Sequence, residues 1–128
     1  MILPEHSLAF LLDYDGREHV LASGHCLKFE VRRIERSRRV PHGLSYSFTF
    51  HGPSGVRLLG FDNAHPVAAR GNRFLARPVA SDHWHRTQTD AGRPYDFESA
   101  EKLIVDFFDE VGKRLEVLGL PFDVIQDD

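Results

Sequence analysis

Cleaving a phosphodiester by acid–base chemistry takes one group to accept a proton from a 2′-hydroxyl, one to return a proton to the leaving oxygen, and a cation for the phosphorane charge. Two short segments of the chain gather such groups: Gly60-Phe61-Asp62-Asn63-Ala64-His65 and Asp82-His83-Trp84-His85-Arg86. On an extended backbone, side chains alternate, so His83 and His85 fall on one side and Trp84 on the other. Two imidazoles on one face leave three readings open. They can be a general acid and a general base, they can ligate a metal together with Asp62, Asp82 or His65, or they can be structural hydrogen-bonding residues. The metal reading suits zinc, nickel or manganese, with His65, Asp82, His83 and His85 as its ligand set. No Cys pair and no His-Glu-x-x-His motif accompanies it, and the expectation is no cofactor and no metal.

A second cluster, Arg32, Arg33, Arg36, Arg38 and Arg39, lies at the end of one expected strand and in the connection to the next. Arginines there can grip a phosphate backbone without reading its sequence, can meet an acidic partner, or can merely solubilise a loop. No helix-turn-helix, zinc-finger or RRM signature is present, so sequence-specific reading of nucleic acid is not expected.

The elements that must position these groups read as a β-rich front and one long helix. Leu8 to Tyr14 is an apolar run closed by Asp15-Gly16, a hairpin signal, and Glu18 to Ala22 leads to a turn at Ser23-Gly24. Leu27, Phe29 and Val31 alternate with Lys28, Glu30 and Arg32 until the phase fails at Arg33-Ile34. Leu44, Tyr46, Phe48 and Phe50 alternate with Ser45, Ser47 and Thr49, the clearest strand in the chain. His51-Gly52-Pro53-Ser54-Gly55 turns it back into Val56 to Phe61. Residues 64 to 95 form a long loop apart from a short strand around Val79 to Arg86, and segments of that kind tend to be functional. Ser99 is the N-cap of a helix whose apolar stripe includes Leu103, Phe107, Val111 and Leu115, and Gly119 and Pro121 stop it. The fold expected is α+β: an antiparallel meander of four to five strands, the helix packed across one face, in a single domain over 1–128. Alternation also leads us to expect Trp84 largely buried, with His83 and His85 facing a groove.

A chain of 128 residues, 41% hydrophobic and 27% charged, has the composition of one soluble globular domain. Its lone Cys26 makes no internal disulfide, and the apolar run before Arg17 is too short for a leader or a membrane span, so a cytoplasmic location is expected. The net charge of -3 conceals a division: residues 1–95 carry 13 Lys/Arg against 9 Asp/Glu, whereas residues 96–128 carry 3 against 10. An anion-facing surface and an acidic helix follow from this, unless the two halves simply neutralise each other across one fold.

Tyr46-Ser47-Phe48, Gly60-Phe61-Asp62-Asn63, Asp82-His83-Trp84-His85, Arg93-Pro94-Tyr95-Asp96-Phe97 and then Leu103 to Phe107-Phe108, in that order, resemble the TumE-like family of small bacterial toxin-type proteins. The resemblance covers about residues 25–118, and residues 64–81, with Arg70-Gly71-Asn72-Arg73, read as an insertion relative to many members. It implies a toxin partnered by a separately encoded antitoxin, commonly a helix-turn-helix protein. Two functions are then in view. In the first, the protein is a metal-independent endoribonuclease with His83 and His85 as acid and base, Arg86 as anion stabiliser, Asp62 and Asn63 orienting them, and the five arginines holding RNA. In the second, it is a non-catalytic binding module, its Asp-Asn and Asp-His-x-His segments a hydrogen-bonded brace. Neither involves a membrane, and a homodimer is compatible with both.

Overall fold

The computed structural model describes residues 3–63, 82–85 and 92–128, and of His83 and Arg93 the backbone only. It is an α+β fold with the element order α1 (Glu5–Leu12), β1 (Glu18–Leu21), β2 (Cys26–Arg33), β3 (Leu44–His51), β4 (Arg57–Asp62), β5 (His83–His85), β6 (Arg93–Pro94), α2 (Ala100–Leu118) and β7 (Val124–Asp127). The strands form one antiparallel sheet in the order β6-β5-β4-β3-β2-β1-β7, a meander to which β7 is added beside β1. The expected four to five strands are thus the centre of a sheet of seven.

The centre follows from period-2 patterning. In β3, Leu44, Tyr46, Phe48 and Phe50 are buried while Ser45, Ser47, Thr49 and His51 are only half-buried. Phe29 of β2 and Phe61 of β4 lie on the same side and meet Phe107 of α2 edge-on, at 5.6 and 5.8 Å between centroids. Leu103, Phe107, Val111 and Leu115 of α2 are all buried, and each such side chain contributes about 2–3 kcal/mol of apolar transfer. The helix starts where Ser99 Oγ accepts the Lys102 N–H at 3.0 Å. It ends at Gly119, whose φ of 72° is left-handed, with the Leu120 N–H donating to the Leu115 carbonyl.

Two elements differ from the sequence reading. The run expected as a first strand is α1, because Ser7 and Leu11, one turn apart, are buried while Ala9 and Phe10 are exposed. Ser7 Oγ donates to Glu101 Oε2 at 2.9 Å, tying α1 to α2. Asp15-Gly16 is accordingly no hairpin turn: Asp15 Oδ1 accepts the Val31 N–H at 2.9 Å and the Gly16 N–H donates to the Phe29 carbonyl, which fastens the end of α1 to β2. The second addition is β7, whose four residues are all exposed.

Candidate functional site

Register turns the face opposite α2 into cross-strand rows. Lys28 pairs with Thr49, Thr49 with Gly60 and Gly60 with His85; beside them Glu30 pairs with Ser47, Ser47 with Asp62 and Asp62 with His83, and then Arg32 with Ser45. The first two rows bring Asp62 and His85 together, with His85 Nε2 3.3 Å from Asp62 Oδ2. A groove of about 500 Å³ runs over the neighbouring rows, lined by Asp15, Glu30, Arg32, Ser45 and Ser47 among others. The guanidinium of Arg57 reaches in from the other end of β4. A Cβ on Gly60 would lie 3.4 Å from its Cδ and 3.6 Å from Nη1, so the missing side chain at Gly60 lets Arg57 lie across the residue that pairs with His85.

The opposite face carries a different network. Asp82 stands just before β5 and reaches toward the helix side, where the Tyr46 hydroxyl donates to its Oδ2 at 2.6 Å and His42 Nε2 lies 2.9 Å from the same oxygen. The Leu44 N–H donates to His42 Nδ1 at 3.2 Å, which leaves the ring proton on Nε2 to be donated to Asp82. Phe97 closes the network, its ring centroid 4.1 Å from that of His42. Burial, with the charge and hydrogen bond of Asp82 added, holds the Tyr46 phenol well above its ordinary range. This triad is buried and satisfied, and Asp82 is thereby spent on tying the loop before β3 to the start of β5.

Asn63 is also committed to the backbone. Its Oδ1 accepts the Tyr46 N–H at 2.9 Å and its Nδ2 donates to the Leu44 carbonyl at 2.6 Å, so its amide extends the ladder between β3 and β4 by one residue. Its effect on the open face is to fix the strand end that carries Asp62. Of the other residues singled out, Arg32, Arg33, Arg36, Arg38 and Arg39 are exposed at the end of β2 and in the following loop. Arg33 pairs with Glu5 at 2.8 Å, and the stem of Arg36 lies against Gly43, where a Cβ would come within 2.7 Å of it. His65 and Arg86, and the side chain of His83, lie outside the described residues. Among the described residues no group of three or more His, Cys, Asp or Glu side chains could hold a metal ion.

Alternation across β5 is as expected, but burial is not. Trp84 packs on Phe61 at 5.7 Å yet is only half-buried, while His85 is 4% exposed. A groove of about 220 Å³ between Trp84 and the Asp106–Lys113 stretch of α2 leaves the indole open on one side. Sequence reasoning did not single out His42 or Arg57. The first sits in a loop 40 residues from the carboxylate it meets, and the second was hidden by a bulge in the register between β3 and β4. Tyr95, in the segment before α2, bonds to that helix: its hydroxyl donates to Asp106 Oδ2 at 2.7 Å, and burial first, then that bond, raises its pKa. No helix among the described residues is long and apolar enough to cross a membrane.

Residues 18–115 match the family model described as Toxin TumE. No curated protein and no solved structure matches the chain. The match spans well over half of the 128 residues and takes in every strand from β1 to β6 and nearly all of α2, so the chain belongs to the TumE toxin family.

Proposed function

We propose that the toxin acts as a metal-independent endoribonuclease on the open face of its sheet. His85, oriented by Asp62, moves one proton, and His83 on the same strand moves the other. Arg86, joined by Arg57, takes up the phosphorane charge, and Asn63 holds the strand end in place. Arg32 and the neighbouring Arg33, Arg36, Arg38 and Arg39 hold the RNA backbone. The observation that carries this reading is the Asp62–His85 pair beside the groove, with Asp62 paired directly to the Ser47 that lines it together with Arg32. A carboxylate within ion-pair distance of a ring nitrogen stabilises the imidazolium that forms when a histidine takes up a proton, which is what a proton-transferring histidine needs.

One observation favours the binding-module reading instead: the side chains of Asp62 and His85 are only 10% and 5% exposed. Incubating purified toxin with RNA between pH 5 and 9, with chelator and with added divalent ions, separates the two. A bell-shaped rate profile that survives chelation supports the ribonuclease. Revival by one added ion points to a metal enzyme, and intact RNA under every condition leaves the brace. Arg38→Ala should weaken RNA binding and reduce its salt dependence while leaving the saturated rate near wild type.

A further inference from the structure

Membership in a toxin family implies a cognate antitoxin, and the inference here rests on that membership. The two edges of the sheet are unlike. On one side, β6 is two residues long and ends in Pro94, which has no N–H to offer, so that edge is blunted. On the other, β7 is four residues without proline or lysine, all exposed, paired to β1 on its inner side and to nothing on its outer side among the described residues.

Apolar surface gathers at this second edge. Of the nine large apolar side chains that are exposed among the described residues, three lie in this strand or just before it: Phe122, Val124 and Ile125. Phe122 continues the patch inward, 6.0 Å from Phe108 of α2. Val124 pairs with Leu21 and Gln126 with Val20, which makes Ile125 the extra residue of a bulge. A bulge twists an edge away from long flat partners, so that any strand added here must be short.

Charge selects the occupant. Asp123 precedes the strand, Asp127 ends it and Asp128 follows, within a segment that carries ten acidic residues against three basic ones from 96 to 128. A second copy pairing antiparallel about Ile125 would set Asp123 of each chain against Asp127 of the other, and in any register it brings together two segments that each carry three aspartates and no cation between 123 and 128. An extended segment in which apolar residues alternate with Lys or Arg meets no such penalty: its backbone completes the ladder, its apolar residues cover Val124 and Ile125, and its cations face the aspartates. We infer that the outer edge of β7 is where the antitoxin docks, by adding a short strand of that chemistry to the sheet.

The probe is a blocked synthetic peptide, Lys-Val-Arg-Val-Lys, titrated into the full chain by calorimetry and followed by amide hydrogen exchange. Binding with slowed exchange at 124–127, weakened at least ~tenfold when alternate peptide nitrogens are methylated, supports strand addition. In the double variant Asp123→Lys, Asp128→Lys, both positions being exposed, the basic peptide should lose affinity and a Glu-Val-Glu-Val-Glu peptide should gain it. Equal binding of the methylated peptide, or of the acidic peptide to the unaltered chain, overturns the inference. So does a dimer in sedimentation equilibrium that Ile125→Lys dissociates, since the occupant is then a second copy. A toxin–antitoxin complex in which exchange at 124–127 is unchanged from the free toxin also overturns it. Failure of the unaltered chain to arrest growth would count against the toxin reading alone, and the peptide titration would still decide the edge.

Discussion

Two histidine–carboxylate pairs sit on opposite faces of one sheet, and their surroundings assign them different work. His42–Asp82 lies on the helix side with both ring nitrogens bonded, Tyr46 donating to the same carboxylate and Phe97 closing it off. His85–Asp62 lies on the open side, 3.3 Å apart, with Asp62 paired to the Ser47 that lines a groove together with Arg32 and Glu30. A satisfied buried network specifies geometry, whereas an imidazole within ion-pair distance of a carboxylate and next to a groove has the arrangement that proton transfer uses. The difference teaches that the shared motif Asp-His-x-His is split by strand alternation, its Asp serving the core and its second His serving the open face.

The sharpest way to break that comparison is to remove the carboxylate from the core side. Asp82→Ala strands the Tyr46 hydroxyl and the His42 N–H in the interior, and should cost about 1–3 kcal/mol for each stranded group in urea denaturation. A loss near zero would mean that this network is not what anchors β5.

On the open side the expected effect is kinetic. His85→Ala and Asp62→Asn should each lower RNA cleavage by on the order of a hundredfold under saturating RNA, the second because the imidazole loses its anionic partner. If both variants instead melt at lower temperature with no cleavage to lose, the open-face pair is a second brace and the contrast collapses. A third test lies between them. Asn63→Ala leaves the Tyr46 N–H and the Leu44 carbonyl without the amide that joins them, and should cost about 2 kcal/mol. Stability measured by chemical denaturation would report it, and unchanged stability would free Asn63 for a role other than tying β3 to β4.

What was legible in the sequence follows from which signals are local. The strand from Leu44 and the helix from Ser99 to Gly119 each carry a complete period and their own stop signals, so their faces could be read directly. Leu8 to Leu12 is too short for periodicity to separate helix from strand, and only the burial of Ser7 and Leu11 against α2 decides it. At β7, Val124 and Ile125 follow a helix stop and show no alternation, because every residue is exposed. Asp62, Asn63, Asp82 and His85 stood out as residue types at close spacing. Their division between two faces, and the arrival of His42 and Arg57, depend on register across strands far apart in the chain, which no local pattern encodes.

Of the four buried histidines among the described residues, His19 offers the smallest and cleanest control. His19 of β1 packs 5.0 Å from Phe29 and stacks on Phe108 at 6.1 Å, and its Nε2 has no hydrogen-bond partner among the described residues. Burial holds its pKa below the ordinary value of 6.5, with Asp127 opposing that shift and Arg17 assisting it. As pH falls through the ordinary value, the unfolded chain therefore takes up a proton that the native chain resists, and unfolding becomes easier. The stability that a neutral His19 provides is complete above pH about 6.5 and is lost progressively below it. Replacing it by phenylalanine removes the titration while keeping a ring between Phe29 and Phe108, so the fall in Tm between pH 7.5 and 5.5 should be smaller in His19→Phe than in the unaltered chain. An identical fall in both would place the acid sensitivity elsewhere.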